Sequence, residues 1–461
     1  MPLKADAQQV GRLEQLSTAR HHLRFYYNVA IAATYTLPGT FTLPIRDYIY
    51  KACEILIGQH PILTAIPIGE DTKEPYFARL PNVDLSKSVS FQKREHRFSN
   101  TEEKDVELET LLNTQHNISF EPLLPFWRLC VLTDDADERQ FTLAYVFHHA
   151  IADGTSGKVF HKSFLQALQS MSSLTTDDVK QVIPSPSLPL LPNWEAAHPC
   201  PVSYLYLASE LFKAKIYNPR DQGLWTGSEI IAPLTTKINH IVIPAHQSST
   251  FRDRCRENKT TITATLQTVI ARSLFANLPD SFTKVKCSGA MSTRRWIPDH
   301  VTDDSMGVWV QDYNEDYIRK ELSDSSSFPW AVTVRSRATI QKAISMEGYN
   351  ASANLLKYVG DIANDLYLSK IGQQRGSTFE VSNIGALTSG KPAENKDVPR
   401  IGRVVFSQSA SVTGNALEVS IASGGDGCLV LAFCWQKGVV GEKLMVDVIE
   451  SVRKEIWDLC A

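Results

Sequence analysis

The sequence predicts an α/β protein of two lobes, each a mixed β-sheet with flanking helices. Three observations carry that expectation. Strand-like apolar runs alternate with segments of helical periodicity along the whole chain. A strand, strand, helix order spanning Phe126 to Leu168 recurs near the end of the second half, from Ala416 to Ile456. Between the halves lies PSPSLPLLPNWEAAHPCP, Pro184 to Pro201, which holds six of the 23 prolines in 18 residues. Proline fixes its own φ and restricts its predecessor, so this segment reads as an extended, non-helical crossover. The expected division is residues 1–183, a linker over 184–203, and residues 204–461.

In the first half, Asn28 to Tyr35 reads as a buried strand. Ile45, Tyr48, Ile49, Ala52 and Leu56 follow helical spacing, and that helix is expected to stop near Gly58, ahead of His60-Pro61. Phe126 to Leu132 and Gln140 to Phe147 form an antiparallel hairpin across the polar connector Thr133 to Arg139. After Gly154 the period changes, and Val159, Phe160, Phe164, Leu165 and Leu168 define one apolar helix face. The second half predicts a helix over Thr263 to Leu278 and strands near Lys284 to Ala290, Val308 to Tyr313 and Phe379 to Asn383. Its final hairpin, Ala416 to Ala422 and Cys428 to Trp435, leads to a terminal helix marked by Val446, Ile449, Val452 and Ile456. The two recurring units differ in chemistry, with HHAIADG in the first and WQKGVVG in the second.

Composition excludes several classes. Apolar residues at 43% and charged residues at 21% are those of a folded globular protein. No apolar stretch approaches the roughly 20 residues needed to cross a bilayer. The formal charge of −3 and the lack of a basic block disfavour nucleic acid as a partner. MPLKADAQQV, Met1 to Val10, lacks the apolar core of a secretory signal, which disfavours export. The eight cysteines form no C-x-x-C pair, so they read as reduced thiols in the cytosol.

The informative segment is His148-His149-Ala150-Ile151-Ala152-Asp153-Gly154. An imidazole at the end of a buried strand, held by a tight turn, can be aimed into a cleft and act as a general base near neutral pH. Asp153 could polarise that imidazole directly, or pair with a buried arginine and hold the turn. No G-x-S-x-G elbow or cysteine signature supplies a hydrolase nucleophile. Adjacent histidines diverge on a strand and no nearby H-x-x-x-H or cysteine completes a set, so no metal is expected.

HHAIADG resembles the H-H-x-x-x-D-G signature of the CoA-dependent acyltransferase superfamily, which includes chloramphenicol acetyltransferase, plant BAHD enzymes and peptide-synthetase condensation domains. More narrowly, the chain is similar to the fungal alcohol acetyltransferase family. That match rests on Arg20 to Tyr35, His60-Pro61-Ile62-Leu63, Pro125-Phe126-Trp127-Arg128, Ser292 to Pro298 with Met306-Gly307, Ser382-Asn383-Ile384-Gly385, and Trp435 to Val440. The D-F-G-W-G segment of the plant branch is absent.

The resemblance implies two chloramphenicol-acetyltransferase-like lobes around a channel, with acyl-CoA, most simply acetyl-CoA, as a co-substrate and no permanently bound cofactor. It gives the base role to His149, with His148 and Gly154 supporting the turn. Asp153 would pair with an arginine of the other half, Arg294 in STRRWIP or else Arg295. Asn383 could donate toward the oxyanion or position the acyl chain; an ordinary strand end is the structural alternative. The expected function is acyl transfer to the hydroxyl or amine of a small apolar alcohol or secondary metabolite. The alternatives are a condensation-type enzyme using a carrier-protein thioester and a non-catalytic protein of the same fold. The residues that contact CoA are not legible, and a monomer is expected.

Two further segments have mainly structural readings. Tyr204 to Phe212 and the terminal helix are expected to pack in the core, with membrane contact at the ER or a lipid droplet as the alternative. His21-His22 is expected to be a capping or surface pair, with the acceptor channel as the alternative.

Overall fold

The computed structural model describes residues 3–461 apart from 97, 99–103, 135–136, 172, 218, 300, 323–326 and 389–396. A five-stranded sheet carries the strands in the order Arg400–Gln408, Val29–Thr36, Asp137–Phe147, Trp127–Asp134 and Val89–Lys93. Its pairs are antiparallel except the last, which is parallel. A six-stranded sheet carries Thr236–Ile243, Leu429–Gln436, Leu417–Ser423, Phe379–Ala386, Lys284–Ser292 and Val310–Ile318. Strand Phe379–Ala386 runs parallel to both of its neighbours, so this sheet is mixed as well.

The inner strands are the chain's purest apolar runs. LVLAFCWQ is buried along its whole length and VAIAATYT along all but its last residue, as expected of strands covered on both faces. The edge strand VQDYNEDYI instead alternates, with Asn314 and Asp316 open to solvent. Helix Gly154–Gln169 lays its apolar face on the first sheet, where Phe160 stacks on Tyr145 with ring centroids 3.9 Å apart. Helices Ile262–Asn277 and Glu442–Cys460 pack against each other over the second. Among the described residues no helix is long and apolar enough to cross a membrane.

Four features depart from the sequence reading. The strand Arg400–Gln408, from beyond the linker, completes the first sheet by pairing with Val29–Thr36. The polar connector of the first hairpin is largely strand, with Thr133 opposite Phe141, because an outward polar residue satisfies a pleated ladder as well as a turn. The proline-rich crossover contains one helical turn, Trp194–Ala197, where proline is missing and Asn193 Oδ1 caps the Ala196 N–H at 3.0 Å. Helix Tyr204–Lys215 is not core: Tyr204 is 92% exposed and Leu205 86%, while Tyr206 and Leu207 are only half-buried. The terminal helix does bury Met445, Val448, Ile449, Val452 and Ile456.

Candidate active site

The strand Asp137–Phe147 ends one residue before His148, and the chain turns through Asp153 into helix Gly154–Gln169. Backbone hydrogen bonds set the turn: His148 N donates to Phe126 O at 2.9 Å and Ile151 N to His148 O at 3.1 Å. Asp153 N donates to Gly307 O at 3.1 Å, tying the turn to the second half of the chain. Gly154 and Gly157 let the helix approach its neighbours. A Cβ at 157 would lie 2.5 Å from Ile31 Cδ1, and one at 154 would lie 3.0 Å from Ile384 Cγ2.

Asp153 is saturated with donors. Its Oδ1 accepts from Ser156 N at 2.8 Å, which caps the helix, and from Ser156 Oγ at 2.9 Å. Arg294 grips both oxygens, Nη1 to Oδ2 at 2.8 Å and Nη2 to Oδ1 at 2.9 Å, and Trp309 N donates to Oδ2 at 3.0 Å. Both residues are 2% exposed. Burial alone would raise the carboxyl's pKa, but the guanidinium and these hydrogen bonds outweigh it and hold it below the ordinary value. With its oxygens committed this way, Asp153 holds the turn and does not hydrogen-bond the His149 ring. Arg294 is the partner; Arg295 is exposed.

His149 reaches the cavity between the sheets, a space of about 440 Å³ whose wall also includes Val29, Arg20, Ser382, Glu380 and Gln408. Its Nδ1 is buried and meets only its own backbone carbonyl, which leaves Nε2 as the ring nitrogen open to the cavity. The Tyr26 ring flanks it at 6.1 Å between centroids. Burial, followed by the positive charge of Arg20, pushes the His149 pKa below that of a free histidine. The imidazole is therefore neutral at pH 7, with a lone pair available for a proton.

His148 points the other way, into a clamp that the sequence does not reveal. His148 Nδ1 accepts from Ala150 N at 2.9 Å, so its proton sits on Nε2, 3.1 Å from Glu70 Oε1 at an angle too oblique for a full hydrogen bond. His21 Nε2 accepts from Phe120 N at 3.3 Å, so its Nδ1 donates to Glu70 Oε2 at 2.9 Å. The two rings meet edge to face at 4.5 Å. Burial raises the Glu70 pKa, but the two histidines more than reverse this and hold it down at about 2, while burial pushes His148 down to about 4. The cluster is thus one carboxylate held between two imidazoles.

These three side chains bring ligand-type atoms within 4.8 Å of one another. The donor set does not fit a metal. Each ring's second nitrogen accepts a backbone N–H, so binding an ion through the first would require an imidazolate. His21 is consequently neither a surface residue nor a channel residue, whereas His22 is exposed.

Asn383 is not brought to the cavity. Its Nδ2 donates to Thr263 Oγ1 at 3.0 Å and its Oδ1 accepts from Gly385 N at 2.8 Å, the local turn that an Asn at a strand end favours. Of the two readings of Asn383, these contacts are those of a strand end, and Ser382 is the member of that segment on the cavity wall. Besides Glu70, sequence reasoning missed Ser156, whose Oγ lies 2.7 Å from Gly307 O and 2.9 Å from Arg294 Nη2.

A sequence model of the family described as "Alcohol acetyltransferase" matches residues 9–454. The chain is 34% identical over 477 residues to "Probable alcohol acetyltransferase crmB" of Aspergillus fumigatus, covering 97% of this chain and 98% of that one. It is 27% identical over 479 residues to "Probable alcohol acetyltransferase FCK4" of Fusarium pseudograminearum, covering 97% and 94%. Among solved structures, the TRI3 trichothecene 15-O-acetyltransferase of Fusarium sporotrichioides superposes with a TM-score of 0.72 at 12% identity, over 100% of this chain and 96% of that one. The first condensation domain of the CDA synthetase gives 0.61 at 14% identity, over 98% and 96%. Both structural likenesses concern the fold alone.

Proposed function

The chain belongs to the alcohol acetyltransferase family and is an acyltransferase, and from that premise we propose that it moves an acyl group, most simply acetyl, from acyl-CoA to the hydroxyl of a small molecule. The observation that carries this reading is His149, neutral and with Nε2 open to a cavity of about 440 Å³. Nε2 takes the proton of the acceptor hydroxyl as its oxygen attacks the thioester carbonyl. The resulting tetrahedral oxyanion collapses, the C–S bond breaks, and the leaving thiolate recovers the proton from the imidazolium. No acyl-enzyme forms. Positioned base catalysis contributes about 10²–10⁴-fold, and the rest of the rate comes from holding two substrates together.

Asp153 and Arg294 act as a strut that keeps the His149 turn docked on the segment Gly307 to Trp309, which leads into strand Val310–Ile318. Both walls of the cavity come from one chain, so the reading needs no second subunit. Eight free thiols, seven of them buried, fit our placement of the reaction in the cytoplasm.

The condensation-type alternative draws support from the neighbouring condensation-domain fold. A thiol-release assay separates the readings: acetyl-CoA or a carrier-bound acetyl group is supplied with a panel of alcohols and amines, and products are identified by mass spectrometry. Acceptor-dependent release of CoA thiol with an O-acetyl product is expected. Transfer from the carrier-bound donor only would favour the condensation reading, and silence with both donors would favour a binding protein.

A further inference from the structure

The cavity that holds His149 also holds a guanidinium that no carboxylate neutralises. Arg20 stands in the last turn of helix Arg12–His22. Beyond the helix, Arg24, at φ 58°, reverses the chain, so that Phe25 N and Tyr26 N both donate back to Arg20 O, at 2.7 and 3.3 Å. That return lays the Tyr26 ring against the Arg20 side chain, whose guanidinium carbon is 3.8 Å from the ring centroid. The same ring flanks His149 at 6.1 Å between centroids. Arg20 is therefore fixed on the wall beside the base, and it is the one lysine or arginine of the described cavity wall.

The hydrogen-bonding capacity of Arg20 is largely unspent. Nη2 reaches Ser17 Oγ at 3.3 Å, Nε is buried without an acceptor, and Nη1 meets no acceptor among the described residues and opens on the cavity. No carboxylate of the described residues lies within ion-pair distance of it. Glu380, on the same wall, turns its oxygens instead to Gln408 Nε2 at 3.2 Å and Asn415 Nδ2 at 3.4 Å. A half-buried guanidinium has given up part of its hydration, and leaving it unpaired is costly unless an anion comes to it. Acyl transfer makes an anion in this cavity, the tetrahedral oxyanion. Asn383, whose amide is spent on Thr263, does not serve it.

We propose that Arg20 is a second catalytic residue, its Nη1–H donating to the thioester carbonyl oxygen as that oxygen becomes the oxyanion. This rests on the acyl-transfer reading and adds an electrostatic contribution to those of the base and of proximity. The acceptor oxygen bonds to the carbonyl carbon, its proton passes to His149 Nε2, and the C=O π pair moves onto the oxygen held by Arg20. The pair then returns, the C–S bond breaks, and the thiolate takes the proton from the imidazolium. The guanidinium keeps its charge throughout, so Arg20 neither gives nor takes a proton. Before attack its charge opposes protonation of His149. Once the oxyanion forms, one negative oxygen faces two cations, so the contact strengthens toward the transition state, as catalysis requires.

The test is the single-turnover rate of transfer from acetyl-CoA and from fluoroacetyl-CoA to one accepted alcohol, in the native enzyme and in Arg20→Gln, with the variant's folding checked by thermal melting. Loss of one oxyanion donor should lower the saturated acetyl rate by about 10²–10³-fold while the half-saturating concentrations stay within about threefold of native. Fluorine draws electrons from the carbonyl and stabilises the oxyanion by itself, so the loss with fluoroacetyl-CoA should be smaller. A packing defect would slow both donors alike. Should Arg20→Gln not fold, Arg20→Met, which keeps the stem against Tyr26 and removes the charge, carries the same comparison with the same expected losses. A saturated rate within about threefold of native, a loss confined to half-saturation, or a loss no smaller with fluoroacetyl-CoA would overturn the inference while leaving acyl transfer intact. No transfer by the native enzyme from either donor to any of a panel of alcohols would overturn both, since no oxyanion would then form.

Discussion

Replacing Arg294 with methionine removes the cation from a carboxylate that has almost no access to water, both partners being 2% exposed. Breaking a buried pair from one side costs about 3–5 kcal/mol, because the remaining charge is stranded. Asp153 would retain three donors, Ser156 N, Ser156 Oγ and Trp309 N, which places Arg294→Met near the lower limit of that range. Asp153→Asn leaves the guanidinium with Ser292 Oγ, Ser156 Oγ and the Ser305 carbonyl as neutral acceptors and keeps an N-cap oxygen, which places it in the same lower part of the range. Set against a total stability of about 5–15 kcal/mol, either variant is weakened but measurable. The double variant should cost less than the sum of the singles by about 1–3 kcal/mol. Urea denaturation followed by tryptophan fluorescence and circular dichroism reads all three.

The pH dependence has a definite sign. Because the folded-state pKa of Asp153 is lowered, its contribution is complete above the unfolded aspartate value of about 3.9 and is lost as pH falls through the folded value. The gap between native and Arg294→Met should therefore be full at pH 6–7 and shrink on strong acidification. A loss below about 1 kcal/mol at pH 7, or a gap that widens on acidification, would refute the reasoning.

Four further outcomes follow from the same geometry. Glu70→Gln should destabilise the protein by about 2 kcal/mol in thermal or urea melts, since it removes the charge that both His21 and His148 address. That contribution is present above the ordinary glutamate pKa and should vanish as pH falls toward the folded value of about 2. Zinc added to the native protein, or chelation by EDTA, should leave the melting temperature unchanged, because both clamp histidines already accept backbone N–H groups; a zinc-dependent rise would reverse the argument. Gly157→Ala should cost about 1–3 kcal/mol by overpacking, its new methyl overlapping Ile31 and Phe147. In kcat/KM against pH, the acidic limb should have its midpoint below 6.5, because His149 must be neutral and its pKa is depressed; a midpoint above 7 would contradict that environment.

The His148 to Gly154 turn was legible because a rare local pattern coincided with a strand-to-helix transition, two signals that depend only on neighbours in sequence. The inner strands were legible for a similar reason: continuous apolar runs such as Leu429–Gln436 need no partner to be recognised. What escaped depends on chain crossings. Glu70 acquires meaning only when the loop that carries it folds over His21 and His148, and no spacing rule links those three positions. RIGRVVFSQ lies far beyond the linker, and only its register with Val29–Thr36 places it in the first sheet. Helix Tyr204–Lys215 misled because apolar content was taken as burial, whereas burial also requires a neighbouring element. Asn383 stayed open between two readings because a sequence does not tell which residue of a cavity-lining segment faces inward; along a strand the faces alternate, and Ser382 takes the wall.

The central claim is that His149 Nε2 takes the proton of the acceptor. The most direct measurement is acetyl transfer by His149→Ala against native enzyme, with acetyl-CoA and one accepted alcohol, after both proteins are shown to melt alike. The account predicts that kcat/KM falls by about 10²–10⁴-fold while the fold is retained. A correctly folded variant within about threefold of the native rate would show that the proton leaves by another route.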